Sequence, residues 1–128
     1  MSILATISGN VQVSDSVSGT SALQKVLASL TTSGNSFGEV QTATIPASPT
    51  SQTLPGSPVN FAYIKNVSVG TQVITVTWTP AGGASNPVVA LPPGSALLLC
   101  ETGAGGGITT LSYQSSASNG LVEHILVA

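Results

Sequence analysis

The stretch that decides the fold is Gln72–Thr79, which reads QVITVTWT. Within it, Ile74, Val76 and Trp78 alternate with threonines, so one face is apolar and the other carries hydroxyls. This period of two, built from β-branched residues, predicts a strand that covers a core on one side. The stretch ends at Pro80 and the glycines after it, because proline lacks a backbone donor and glycine permits turns.

Short strands of the same kind are predicted on both sides of this stretch. They are Ser51–Leu54, Phe61–Val69, Val88–Leu91, Ala96–Cys100, Ile108–Gln114 and Leu121–Val127. The Ala96–Cys100 strand is apolar on both faces, which favours a central position in a sheet or cover by a neighbour. Asn119-Gly120 lies in the last polar turn and is a dipeptide typical of hairpins.

The sequence of the first third of the chain allows two structural interpretations for residues 1–20 and two for the segment that follows. Residues 1–20 form either an extended N-terminal arm or a first hairpin. Leu23, Val26, Leu27 and Leu30 are spaced as a helical stripe, but they also fit a strand, and an otherwise β-rich chain favours the strand. Residues 21–128 are then a single domain. The expected fold class is all-β, an antiparallel β-sandwich or jelly roll of about seven to nine short strands.

The composition excludes several classes of partner and site. Only 5% of the 128 residues are charged, against about 25% in an ordinary domain, and the two basic residues are both lysines. No basic surface can therefore neutralise a run of phosphates, so we expect no nucleic-acid partner. A single cysteine, Cys100, rules out a disulfide framework within the chain and a cysteine-based metal cluster. An apolar content of 41% predicts a packed core.

The surface has very little charge to keep copies of the protein apart. The net charge is −2, and Ser, Thr, Gly and Ala supply much of the chain. Such a surface gives weak electrostatic repulsion between molecules. We interpret it as a surface that packs against other subunits in a homo-oligomer. The alternative is a surface that is simply polar and uncharged.

No arrangement of residues indicates catalysis. The only histidine, His124, adjoins Glu123, but adjacent residues in a strand face opposite sides, so this carboxylate cannot orient the imidazole. Glu101 and Glu123 would make a glycosidase-like carboxylate pair only if the fold brought them together. We therefore predict no catalytic residue.

Metal and cofactor sites are not expected either. His124, Cys100 and the acidic residues stand at no recognised ligand spacing. The glycine-rich stretch Gly103–Gly107 is not followed by a lysine, and it leads into a strand instead of a helix. A phosphate loop needs backbone amides at a helix N-terminus, so this stretch is interpreted as a loop between strands.

The sequence does not show the pattern of a membrane-spanning helix or of a secretion signal. Met1–Leu4 carries no basic region, and no stretch approaches about 18 apolar residues. We expect cytoplasmic synthesis, no membrane partner, a reduced Cys100 and a silent glycosylation sequon at Asn66-Val67-Ser68. Sugar stacking by an exposed aromatic stays open, although Trp78 on the apolar face of its strand favours the core.

Five segments of the second half carry a resemblance to a known class of proteins. They are Phe61–Asn66 (FAYIKN), Val76–Gly83 (VTWTPAGG), Leu91–Ala96 (LPPGSA), Gly107–Ser112 (GITTLS) and Val122–Ala128 (VEHILVA). Together they resemble small structural proteins of tailed bacteriophages, over about residues 60–128.

The resemblance implies a function as well as a fold. It implies a jelly-roll or β-sandwich protein of the virion without enzymatic activity, most directly a head decoration (cement) protein on the capsid exterior. Its partners would be the major capsid protein and further copies of itself, with a trimer favoured at three-fold positions. It implies no catalytic residue, cofactor or metal. The alternatives are a tail or head–tail accessory protein and a carbohydrate-binding module for host attachment.

Overall fold

The structure is a computed structural model, and every element in its described part is a strand. It describes residues 3–14, 21–34, 41–83, 85–100 and 106–128. The strands are β1 (Ile3–Ser14), β2 (Ser21–Gly34), β3 (Gln41–Ile45), β4 (Thr50–Ser51), β5 (Phe61–Asn66), β6 (Ile74–Pro80), β7 (Val88–Leu91), β8 (Ala96–Cys100), β9 (Ile108–Ser115) and β10 (Gly120–Val127). The all-β prediction is therefore confirmed, and no described segment is a helix long and apolar enough to span a membrane.

Eight of the strands form a sandwich of two four-stranded antiparallel sheets. One sheet has the order β3-β10-β5-β8, and the other has the order β4-β9-β6-β7. The first strand of the sandwich therefore pairs with the last, the second with the second-to-last, and so inward to the β6–β7 hairpin. This nested pairing is the strand order of a jelly roll, one of the two architectures that the sequence predicts.

One local prediction is wrong because strand pairing in this fold is not local. Asn119-Gly120 was expected to close a hairpin, but β9 and β10 lie in different sheets, so this turn crosses from one sheet to the other. The left-handed φ of 64° at Asn119 still suits the tight turn that the dipeptide predicts. For Ala96–Cys100 the sequence predicts either a central position or cover by a neighbour. The central position is wrong, because β8 is an edge strand of the sandwich, whereas the approach of β2 to β8 agrees with the second alternative.

The N-terminal strands form a separate sheet. β1 and β2 pair with each other in an antiparallel ladder that runs from Ile3–Gly34 to Ser14–Ser21. Neither strand joins a sheet of the sandwich. The strand alternative for Leu23–Leu30 is thus the one that the structure contains, as part of a two-stranded sheet formed by β1 and β2.

The core lies between the two sheets and is filled by the inward side of each alternating strand. Its fully buried members include Ile45, Ala62, Ile64, Ile74, Val76, Leu111, Tyr113, Val122 and Leu126. Trp78 is partly buried and packs against this cluster, so its predicted place on the core side is confirmed. Each large aliphatic side chain taken from water contributes about 1.5–3 kcal/mol, which makes this layer the main source of stability.

One buried polar side chain fastens the two sheets together at the end of β5. Asn66 has no exposed surface, and its Nδ2 donates to the carbonyl oxygens of Gln72 and Leu91, each at 2.8 Å. Its Oδ1 accepts the backbone N–H of Ser68 at 3.0 Å. Because Leu91 belongs to the opposite sheet, the amide bridges the sandwich. Both Nδ2 hydrogens are used inside the fold, so the sequon at Asn66 is closed to a glycan in the folded protein.

Candidate interaction surface

His124 and Glu123 lie on opposite sides of their sheet. His124 faces the core with 4% of its surface exposed, whereas Glu123 is on the outer face, half-buried. The His124 ring lies beside Tyr113, with Nδ1 2.9 Å from the phenol oxygen and the ring centroids 5.8 Å apart. The expectation that Glu123 does not orient this imidazole is confirmed by the geometry.

The Tyr113–His124 pair is held in its neutral form by burial. Desolvation raises the pKa of Tyr113 far above its ordinary value and lowers the pKa of His124. The phenol and the imidazole are therefore both uncharged, and one hydrogen bond joins Tyr113 Oη and His124 Nδ1. This is a satisfied polar contact inside the core, and it offers no nucleophile to solvent.

The remaining residues considered for chemistry do not come together in the described part of the chain. No group of three or more histidine, cysteine or acidic side chains is placed to hold a metal ion among the described residues. Cys100 is a free thiol, half-buried at the end of β8. Glu101 and Gly103–Gly105 lie outside the described residues.

The outer face of the β3-β10-β5-β8 sheet is apolar with one pair of opposite charges. Tyr63, Leu98 and Ile125 stand in one row across β8, β5 and β10. Leu98 exposes 44% of its surface, and the other two are half-buried. In the neighbouring row, Glu123 is directly opposite Lys65. We call this side the apolar face.

The outer face of the β4-β9-β6-β7 sheet has a different chemistry. β6 and β9 present hydroxyl and amide side chains to it, and the edge strand β7 adds two small apolar residues. Its members are Thr75, Thr77, Thr79, Thr110, Ser112, Gln114, Val88 and Ala90. We call this set the hydroxyl face. It contains no charged residue, and every side chain in it is small except Gln114.

Cross-strand register places these groups in rows. Thr77 of β6 is opposite Ser112 of β9 on one side and Val88 of β7 on the other. Thr75 is likewise opposite Gln114. Side chains directly opposite in an antiparallel pair have their Cβ atoms about 4.5–5.5 Å apart, so neighbouring hydroxyls form a close array.

Part of the hydroxyl face is fixed by internal hydrogen bonds. The Thr79 hydroxyl lies 2.6 Å from that of Thr110 and donates to Asn86 Oδ1 at 2.9 Å. Gln114 Nε2 donates to the carbonyl oxygen of Ala47 at 2.8 Å. These bonds hold the margins of the array in place.

The centre of the hydroxyl face keeps its hydrogen-bonding capacity. The side-chain hydroxyls of Thr75, Thr77 and Ser112 make no hydrogen bond to any residue that the structure describes. Each hydroxyl can donate one hydrogen bond and accept others. The alternation in QVITVTWT predicts the threonines of this face, but which side chains of β9 lie opposite them depends on strand register.

Comparisons of the chain with protein families, with curated proteins and with solved structures find no match.

Proposed function

We propose that this protein is a structural component of a tailed-phage virion, namely a capsid decoration protein that binds the major capsid protein. One observation carries the proposal. Across residues 41–83, 85–100 and 106–128, the charged side chains are Lys65 and Glu123 alone, and they stand opposite each other on one face. The described sandwich thus presents an exterior on which the two charges offset one another.

Such an exterior suits permanent contact with other protein surfaces. Removing ions from water is costly unless they are well paired, and a surface without ions avoids this cost. A decoration protein adds contact area across many equivalent joints, so each copy needs only modest affinity when many copies act together. The same uncharged exterior suits self-association. Soluble oligomers usually close with point-group symmetry, so a trimer at the three-fold positions of a capsid is the expected assembly.

The jelly-roll strand order supports the proposal at the level of fold. Jelly rolls are common in viral capsid proteins, although they also occur in lectins and cupins, so this support is an analogy. The same analogy covers a tail or head–tail accessory protein. Among the aromatic residues that the structure describes, Tyr63 on the apolar face is the one placed to stack a sugar for host attachment, because Trp78 faces the core and the others are buried.

The test is to find the chain in a particle. Virions produced from the genome that encodes this sequence are purified, their proteins are identified by mass spectrometry, and the particles are imaged. We expect the chain in many copies on the outside of the head. A chain found only on the tail would favour the accessory alternative, and purified particles without the chain would refute a structural role.

A further inference from the structure

We infer that the hydroxyl face is the surface by which this protein docks, and that its partner is a repeating protein array that offers uncharged hydrogen-bonding groups. The inference rests on the proposed function and adds the contact surface and its chemistry. It starts from Thr75, Thr77 and Ser112, whose hydroxyls lie close together and bond to no described residue.

The hydroxyl face is prepared for hydrogen bonding at low entropic cost. Threonine is stiff at χ1, and serine loses little side-chain freedom when it is fixed. The two ends of the hydroxyl face are fixed by the contact between Thr79 and Thr110 and by the hydrogen bond from Gln114 to the carbonyl of Ala47. Backbone amides and carbonyls of a partner would meet hydroxyls that can both donate and accept.

Charge decides what kind of partner fits. A charged group of a partner buried against the hydroxyl face would find no opposite charge there, and it would lose its hydration. The fitting surface is therefore also free of charge at the contact. The apolar face is a poorer candidate, because it carries Lys65 and Glu123 and because β2 of the same chain approaches its edge strand β8.

Area decides between a single partner and an array. With strands about 4.8 Å apart and a rise of about 3.3 Å per residue, the three strands that carry the hydroxyl face span roughly 10–14 Å by 20–25 Å, a footprint of about 300 Å². A stable pair of proteins buries about 800 Å² on each side. One hydroxyl face supplies less than half of that, so a solitary complex is weak. Tight binding needs the linked subunits of an oligomer to contact several equivalent sites of a repeating surface at once.

The test uses substitutions on the two outer faces of the sandwich. Thr77→Lys places a charge in the centre of the hydroxyl face, and Thr77→Val removes the hydroxyl with little change in shape. Thr44→Lys and Thr44→Val are the matched controls, because Thr44 is an exposed threonine of β3 in the other sheet. Thermal unfolding of each variant establishes that it is folded.

Binding is measured by sedimentation with particles assembled from the same genome after deletion of the gene for this chain. We expect wild type and both Thr44 variants to bind alike, Thr77→Val to bind several-fold more weakly and Thr77→Lys to lose about tenfold or more. Wild-type binding should persist from about 0.1 M to about 1 M salt, since no ion pair holds it.

Three results would overturn the inference in different ways. Full binding by a folded Thr77→Lys variant would show that another face docks, while the proposed function would stand. If the wild type does not bind these particles, both the proposed function and the proposed docking surface are refuted. Binding that is lost between low and high salt would point to ion pairs and would contradict the chemistry assigned to the partner.

Discussion

Replacing Asn66 should destabilise the protein more than any comparable change at the surface. The side chain is fully buried and makes three hydrogen bonds to backbone groups, two of them to the carbonyl oxygens of Gln72 and Leu91. Asn66→Ala removes all three bonds at once. Asn66→Asp keeps the shape but turns an acceptor oxygen toward two carbonyl oxygens.

The expected size follows from the contacts. A buried hydrogen bond contributes about 0.5–1.5 kcal/mol net, so three of them amount to about 1.5–4.5 kcal/mol. That is a large part of the stability of a domain, which is about 5–15 kcal/mol. For a chain of this length, about 4 °C per kcal/mol gives a decrease in Tm of about 6–18 °C for Asn66→Ala. Asn66→Asp should lose at least as much at neutral pH, because it leaves an unpaired buried charge.

The assay is denaturant unfolding followed by circular dichroism, with thermal melts alongside. A change in the midpoint at constant slope would report a loss of stability in the native state. Thr50→Ala is the control, because the Thr50 hydroxyl donates to the Ser48 carbonyl at an exposed site, and its loss should cost less than about 0.5 kcal/mol. If both Asn66 variants unfold within that margin of wild type, the bridge between the sheets is not a source of stability.

Three further outcomes are expected. Burial lowers the pKa of His124 in the folded protein, whereas in the unfolded chain it stays at about 6.5. Below about pH 6.5 the unfolded state therefore binds more protons than the folded state, so the free energy of unfolding should fall as the pH decreases from about 6.5. His124→Gln should flatten this dependence in denaturant titrations, and an identical slope in the variant would contradict it. Gly120→Ala should cost about 1–3 kcal/mol, because the added Cβ would lie 2.7 Å from Ile74 Cδ1, whereas Ala117→Ser at the exposed tip should leave the midpoint unchanged. Native Trp78 fluorescence should lie at shorter wavelength than in the unfolded chain, and equal spectra would contradict its core packing.

Much of the local structure could be predicted because alternation is a local property. The strands Val88–Leu91 and Ala96–Cys100 begin and end in the structure at the predicted residues, and Gln72–Thr79 differs from β6 by only a few positions. The threonine side of β6 could be predicted for the same reason, since side chains in a strand alternate between faces. Three of the eight residues of the hydroxyl face could thus be predicted from a single stretch.

Strand pairing could not be predicted in this way. A jelly roll joins strands that are distant in sequence, so Lys65 meets Glu123 and Thr77 meets Ser112 only after β5 finds β10 and β6 finds β9. The buried bridge from Asn66 to Leu91 has the same origin. No local pattern encodes these contacts, because they depend on which apolar faces pack together.

The sequence by itself therefore determined the all-β class, the turns and the scarcity of charge, which are properties of composition and of neighbours along the chain. The tertiary structure alone decided the sheet that each strand joins, the turn at Asn119 that crosses between sheets and the edge position of Ala96–Cys100. The physical reason is that strands with one apolar side can pair in many orders, and burial of all those sides in a common core selects among them.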